Sequence, residues 1–245
     1  MFKAKIKADI LKTVIDTTSI LVDEAKFHIT PEGISLKAVD PAHVAMVDLS
    51  LGSKAFEEYK AEDLELGIDL GKLDQIMKLA SAGDVISLDY KEDAHRLVVK
   101  VANIVRKMSL VDTAGMPDAK VPNLNLPAEV VVKSSEISQG VLASKAISDH
   151  VALTADTDGF ELSAEGDTDS VNLKLPKDLL VSLKSSERVK SLFSLDYFAN
   201  MIKAAKSSDA ILLKLGNDYP VMMEFDIADG NGHVVYLLAP RIESD

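Results

Sequence analysis

The sequence predicts an α+β protein built from two tandem, similar domains, because it contains a long internal repeat and a recurring order of strand and helix patterns. The segment at 5–15 begins with alternating apolar residues and continues with helical spacing, and 131–142 repeats this about 126 positions later. A second alternating stretch turns at Gly33, and its counterpart turns at Gly159 with the same offset. A repeat of this length indicates a duplicated domain, since solenoid units have only about 20 to 45 residues.

Four helices are predicted, two in each half, roughly at 9–20, 71–82, 135–147 and 197–207. In the later helix of each half, apolar residues recur at i, i+3, i+4 and i+7, which places them on one helix face. Asp69 and Asp196 stand close to the starts of these two helices and are predicted to be their N-caps. The remaining segments alternate between apolar and polar residues, which predicts many short strands.

A proline-rich stretch divides the two copies and predicts a connector. The predicted boundaries are 1–112 for the first domain, 113–128 for the connector and 129–245 for the second domain. Proline fixes φ and cannot donate to a β-ladder, which favours an extended segment. The connector nevertheless has four apolar residues, which either pack back on the sheets or help to form a docking surface: Met116, Val121, Leu124 and Leu126.

Composition narrows the class of protein. The chain has 245 residues, 47% of them hydrophobic, no cysteine and a formal net charge of −12. The lack of cysteine excludes thiolate chemistry, cysteine-type zinc sites and disulfides. The negative charge opposes non-specific binding to nucleic acid or to anionic lipid. Since no apolar run is long enough to span a bilayer, and the first residues lack a signal-peptide core, we expect a soluble, cytoplasmic protein without a membrane partner.

Motifs of enzymes and of metal or cofactor sites are missing from the sequence. The five histidines have no metal-binding spacing, and neither a nucleophile motif nor a phosphate-binding glycine motif occurs. Asp167 and Asp169 are two positions apart and offer carboxylates to a hard cation, although the same pattern is typical of a solvated loop. We therefore expect no catalytic residues, no metal and no cofactor.

His43 lies in a loop between two apolar stretches, and three roles remain open from the residues alone. Its side chain contacts a partner at the surface, forms a local structural hydrogen bond or acts as a catalytic base. The catalytic role needs a nucleophile and an orienting carboxylate nearby. The repeat aligns "DPAHVAM" with "DTDSVNL", so the strand is duplicated while the proline and the histidine are not. The loop surface is therefore particular to the first half.

Charge is distributed unevenly along the chain. The predicted helices are near neutral or basic, whereas the rest of the chain is acidic. Lys78 and Lys203 occupy matching positions about 140° from the apolar stripe, so they point away from the core. Such helices can line a surface that contacts phosphates loosely, without base readout, because no arginine or aromatic cluster accompanies them.

The chain as a whole resembles a known family. The duplicated domain, the "DPAHVAMVDL" segment that begins at Asp40, the proline-rich connector and the ending "VVYLLAPRIESD" are similar to those of DNA sliding clamps of the proliferating cell nuclear antigen family, in its archaeal branch. The resemblance implies the DNA clamp fold, with antiparallel sheets outside and two helices on the inner face of each domain. It further implies a closed homotrimeric ring around duplex DNA, without sequence specificity and without catalysis. The implied partners are the clamp loader (replication factor C), DNA polymerase, flap endonuclease and DNA ligase.

The resemblance also assigns residues in this chain. A pocket for a glutamine-anchored apolar peptide is implied at Val39, His43, Val44, Met46, Leu124, Leu126, Pro220, Leu237, Ala239 and Pro240. DNA-facing lysines are implied at Lys12, Lys72, Lys78, Lys145, Lys203 and Lys206. Strand edges at 103–111 and 169–175 are expected to pair between subunits, which places an interface at Ile104, Arg106, Met108, Leu110, Val171, Leu173 and Leu175. The alternatives are a subunit of a heteromeric ring and a carboxylate- and metal-dependent hydrolase.

Overall fold

The chain folds into two compact units, each of which combines antiparallel sheets with two α-helices. In this computed structural model, residues 1–116 and 118–242 are described. Pro117 of the connector and the last three residues of the quoted ending lie outside the described residues. The first unit comprises Met1–His43, Val47–Val121 and Asp226–Val234, and the second comprises Val44–Met46, Pro122–Phe225 and the chain from Val235. The predicted α+β class is confirmed.

In the first unit, the helices are α1 (Ala8–Ser19) and α2 (Leu70–Met77). The strands that begin in the first half of the chain are β1 (Phe2–Lys7), β2 (Glu24–Thr30), β3 (Gly33–Val39), β4 (Ala45–Gly52), β5 (Glu58–Ala61), β6 (Leu64–Asp69), β7 (Val85–Lys91), β8 (Arg96–Val101) and β9 (Ile104–Ser109). Their order is β5-β1-β7-β8-β9 in a five-stranded sheet, and β4-β3-β2-β6 form one end of a nine-stranded sheet. The strand β9 therefore ends its sheet.

In the second unit, the helices are α3 (Ser134–Ser144) and α4 (Leu195–Ala204). The strands that begin in the second half of the chain are β10 (Ala128–Lys133), β11 (His150–Ala155), β12 (Gly159–Glu165), β13 (Ser170–Pro176), β14 (Ser182–Lys184), β15 (Val189–Ser194), β16 (Ala210–Leu215), β17 (Val221–Ile227) and β18 (Gly232–Leu238). Their orders, β14-β10-β16-β17-β18 and β13-β12-β11-β15, repeat those of the first half strand for strand. The predicted duplication is confirmed.

Alternation along the strands decides which sheet face is buried. In β1, Phe2, Ala4 and Ile6 are buried while the lysines between them are exposed or half-buried. In β10, the corresponding buried residues are Ala128, Val130 and Val132. The helices of each unit pack together and cover these apolar faces, because each helix carries an apolar stripe of its own. Among the described residues, no helix is long and apolar enough to cross a membrane.

The helix ends differ from two expectations. Asp69 is the N-cap of α2, and its side chain accepts a hydrogen bond from the Lys72 amide, as predicted. Asp196 is not a cap, because α4 begins one residue earlier and Ser194 holds the N-cap position without a side-chain bond. The helix α2 ends at Met77 rather than near 82, because the next amides, of Leu79 and Ala80, bond to carbonyls three residues back, as in a tighter turn.

Replacing Asp69 with alanine is expected to lower the free energy of unfolding of the first unit by about 1 kcal/mol at neutral pH, because α2 loses its cap. The ion pair with the Lys72 ammonium, and then the bond from the Lys72 amide, lower the pKa of Asp69. Because the pKa is lower in the folded than in the unfolded protein, the charged carboxylate stabilises the fold at pH values above the unfolded pKa of about 4. This stabilisation is lost as the pH falls through the folded-state pKa. Urea unfolding at pH 7 and at about pH 3 measures the free energy of unfolding of the parent protein and of Asp69→Ala. The difference between the two proteins should be smaller at the lower pH.

Asp69→Asn is the matched control for this change, since the amide oxygen still accepts the backbone bond but lacks the charge. It should unfold between the parent protein and the alanine variant at pH 7. Equal stability of all three proteins at pH 7 would show that the cap contributes nothing.

Candidate functional site

A tight loop after β3 holds His43 at the surface. The Asp40 carboxylate is buried and accepts a hydrogen bond from the Ala42 amide at 3.1 Å, while the His43 amide donates to the Asp40 carbonyl at 3.0 Å. His43 has φ of 56°, and its side chain is exposed. Within the described residues the imidazole makes no hydrogen bond. Asp40 thus orders the loop backbone and not the ring, so a catalytic pairing of Asp40 with His43 is not formed.

An apolar surface lies in the second unit, where Val44 meets the end of β18. The Ala239 amide donates to the Val44 carbonyl at 2.8 Å, and the side chain of Val44 is 37% exposed. Beyond Ala239, the backbone amide of Arg241 donates a hydrogen bond to the Leu192 carbonyl at 2.7 Å. This bond fixes the path of the chain past Pro240. This anchoring presents Val44, Ala239 and Pro240 in a fixed arrangement.

Leu126 of the connector lies beside the turn between β16 and β17. A side chain added at Gly216 would come within 3.4 Å of Leu126 Cδ2 and 3.1 Å of Tyr219 Cβ, so both side chains flank this glycine. The buried Ser191 hydroxyl donates to the Gly216 carbonyl at 2.8 Å and accepts from the Tyr219 amide at 3.2 Å. The turn is therefore rigidly held beside Leu126.

Tyr219, which flanks Gly216 together with Leu126, is an exposed aromatic residue that sequence reasoning missed. It is 50% exposed and stands directly before Pro220, which is half-buried. An exposed aromatic side chain next to a proline in a short turn is the signal that could have identified it, because such residues are enriched at binding surfaces.

The residues predicted for the pocket differ in burial. Val39, Leu124, Leu126, Pro220, Ala239 and Pro240 are half-buried, and His43 and Val44 are exposed. Met46 and Leu237 are only 6% and 7% exposed, so they belong to the core. They support the surface residues from below and offer a ligand little area of their own.

Open strand edges lie at the positions expected for an interface. The strands β9 and β13 each end their sheet. Ile104 is 48% exposed, whereas Met108 and Leu175 are buried inside their own units. Arg106 is bonded within its unit, donating to the Lys72 carbonyl at 2.8 Å. At both edges, the main-chain N–H and C=O groups that point away from the neighbouring strand remain available for pairing. The other predicted interface residues, Leu110, Val171 and Leu173, are half-buried.

The predicted DNA-facing lysines are all exposed and lie on or just after helices. In the first unit, Lys72 pairs with Asp69 and Lys78 pairs with Asp74, both at 2.8 Å, and the latter pair raises the pKa of Lys78. Within the described residues, no ion pair is formed by Lys12, Lys145, Lys203 or Lys206. The second unit therefore presents the less neutralised set of helix lysines.

The carboxylate pair at Asp167 and Asp169 lies in an exposed turn that is closed by a bond from the Gly166 amide to the Asp169 carbonyl at 2.9 Å. Within the described residues, neither aspartate belongs to a group of three converging metal-ligand side chains. The arrangement is that of a hairpin turn.

A different cluster, which the sequence did not reveal, joins His28, Glu65 and Asp118. His28 Nε2 is 3.0 Å from Asp118 Oδ1, and His28 Nδ1 is 3.2 Å from Glu65 Oε1. The Lys26 ammonium lies 2.6 Å from Asp118 Oδ1 and is the main cause of the lowered pKa of Asp118. The two ring nitrogens face different carboxylates, and the Lys26 ammonium already pairs with Asp118. These side chains therefore form a polar network with one another rather than a set of ligands around one cation.

Comparison with known proteins covers the whole chain. Residues 1–114 match the family described as proliferating cell nuclear antigen, N-terminal domain, and residues 120–241 match its C-terminal domain. Proteins named DNA polymerase sliding clamp from Methanococcoides burtonii and Methanosarcina barkeri are 44% and 43% identical, with all of both chains covered. A solved structure described as "C-terminal region of FEN-1 bound to A. fulgidus PCNA" matches with a TM-score of 0.94 and 34% identity, again over all of both chains.

Proposed function

Since the chain belongs to the proliferating cell nuclear antigen family, we propose that it is a DNA sliding clamp: a closed homotrimeric ring that encircles duplex DNA and tethers replication and repair enzymes. The observation that carries this proposal is the end-to-end match to archaeal sliding clamps. The duplicated α+β architecture and the open edges of β9 and β13 agree with it.

The repeat itself supports ring assembly. Bonds from Gly52 to Asn231 in the first unit and from Ala239 to Val44 in the second join β4 to β18, each at 2.8 Å. The counterparts of β4 and β18 in the duplication are β13 and β9, which have no such partner in the described chain. If β9 of one chain pairs with β13 of the next, the main-chain groups at both open edges gain hydrogen-bond partners. This contact is of the same kind as that between β4 and β18. A head-to-tail contact of this kind closes into a ring when its rotation permits.

DNA is held by enclosure and by weak electrostatic contact. Lysines at helix surfaces attract phosphates without reading bases, because they are point charges without the planar fork of arginine. The net negative charge of the rest of the chain opposes non-specific DNA binding over the surface as a whole. This distribution permits sliding, since no single contact is strong.

Client proteins dock through a short apolar peptide on the surface around Val44, Leu126 and Tyr219. Partly exposed apolar side chains in a rigid frame suit aromatic and aliphatic anchors, and the exposed imidazole of His43, which precedes Val44 in the chain, provides a donor for a peptide carbonyl. A flap endonuclease tail is the kind of client indicated by the structural relative. Polymerase, ligase and the clamp loader are the others we infer, and the clamp performs no reaction itself.

The molar mass of the pure protein tests the assembly. Size-exclusion chromatography with light scattering is expected to give three times the chain mass of 26.4 kDa. A mass of one chain across the concentration range would contradict the homotrimer and favour a ring that needs other subunits.

A further inference from the structure

The sheet β5-β1-β7-β8-β9 has a basic outer face, although the whole chain carries −12. Directly opposed residues of an antiparallel sheet point to the same side, so the strand registers define two rows across this face. The rows are Lys60, Lys3, Asp89, Val98, Lys107 and Glu58, Lys5, Ser87, Lys100, Val105. These ten positions hold five lysines and two carboxylates, and we call them the basic sheet face.

Both carboxylates of this face are already paired. Glu58 accepts from Lys5 at 2.8 Å, and Asp89 pairs with Lys91 at 2.6 Å. Within the described part of the chain, Lys3, Lys60 and Lys100 form no ion pair, and all three are exposed. The face therefore keeps an uncompensated positive charge on both sides of its central strand, β7.

A groove of about 600 Å³ lies on this face. Its lining includes lysines from three strands together with Val98 and Val105, and Val105 is 53% exposed. Cations and apolar side chains thus share one concave surface. Five strands span about 20 Å, which an extended segment of about six residues crosses.

We propose that the basic sheet face binds an extended acidic segment of a partner protein whose sheet-facing side chains, at every second position, include both carboxylates and apolar groups. The acidic residues pair with Lys3, Lys60 and Lys100, and the apolar ones contact Val98 and Val105. Charge complementarity selects this occupant.

A nucleic acid fits this face less well than an acidic peptide does. Val98 and the exposed Val105 offer no partner to a phosphate chain, whereas a peptide with apolar side chains contacts both of them. The two rows contain no aromatic side chain on which a base could stack and no arginine fork.

The proposal does not depend on ring assembly or on the peptide surface around Leu126. Pairing along β9 uses its main-chain edge in the plane of the sheet, which leaves Val105 and Lys107 facing outward. The helix lysines expected to face DNA are different residues.

Fluorescence anisotropy with a labelled peptide of about ten residues tests the proposal on the full chain. In this peptide Glu and Leu take turns at every second position, with uncharged polar residues between them, so that both types lie on one side of the extended chain. The variant K3Q/K60Q/K100Q is expected to bind about tenfold more weakly, as the loss of three exposed ion pairs implies, and added salt should weaken binding to the parent protein. The matched control K54Q/K133Q/K177Q removes the same charge from exposed positions elsewhere and should bind like the parent. Equal melting temperatures of the three proteins establish that the variants are folded.

Three results would overturn the proposal. The first is equal binding of the peptide to both triple variants. The second is undiminished binding of a peptide in which glycine replaces every leucine, because the valines would then have no role. The third is a single-stranded oligonucleotide of the same length that binds more tightly than the peptide and is lost in K3Q/K60Q/K100Q, which would assign the face to nucleic acid. Each result is independent of whether the protein encircles DNA.

Discussion

Lys174→Pro is expected to convert the proposed trimer into folded single chains. Bonds from Gly166 to Asp169 and from Lys177 to Asp158 fix the hydrogen-bonding alternation along β12 and β13. They direct the N–H groups of residues 171, 173 and 175 toward β12, and that of Lys174 toward the open edge. Proline at 174 therefore removes a donor that the chain does not use internally, and its ring blocks a neighbouring strand. Light scattering should give a mass near 26.4 kDa.

Two neighbouring changes make this test specific. Lys174→Ala keeps the N–H group and should remain trimeric. Leu173→Pro removes a donor that bonds to β12 and should instead destabilise the fold, by about 3 kcal/mol or more, which thermal melting detects. A trimeric Lys174→Pro protein would show that the β13 edge is not the subunit contact.

Leu126→Asp is expected to abolish binding of a glutamine-anchored peptide with apolar and aromatic anchors. Leu126 flanks Gly216 together with Tyr219 in the second unit, and a carboxylate there must lose its hydration when the peptide covers it. The expected loss is about 100-fold in affinity or more, as for a central residue of an interface. Isothermal calorimetry measures it.

Two control variants distinguish the loss of the peptide site in Leu126→Asp from a general effect of an added negative charge on peptide binding. Leu179→Asp introduces the same group at another leucine, which is 55% exposed in the turn after β13, and should bind the peptide like the parent. His43→Ala removes a rim contact and should cost only about fivefold, the worth of one hydrogen bond. Parent-level affinity in Leu126→Asp would place the client site elsewhere.

Much of the fold could be predicted from the sequence because the repeat is encoded in apolar spacing. The 126-residue offset gave equivalent strands whose order in the sheets is indeed duplicated. Asp69 was identified correctly as a cap, while Asp196 was not. A carboxylate near a helix start is compatible with either the cap or the first turn, and the backbone dihedrals that decide between them are not visible in a sequence.

The site was less predictable, because it depends on contacts between distant segments. Alternation marked Met46 and Leu237 as apolar but did not show that both are buried. Tyr219 becomes part of the surface only because the turn after β16 lies beside the connector. The basic sheet face emerges only from strand register, which aligns Lys3, Lys60 and Lys100 from three separate segments.

The most direct test of the clamp account is the lifetime of the loaded protein on two DNA molecules of equal length, a nicked circle and the same DNA cut once to free its ends. Enclosure predicts slow loss from the circle, rapid loss from the linear molecule by sliding off its ends, and no such difference for Lys174→Pro. Equal lifetimes of the parent protein on both DNA molecules would show that it grips DNA by surface contact and does not surround it.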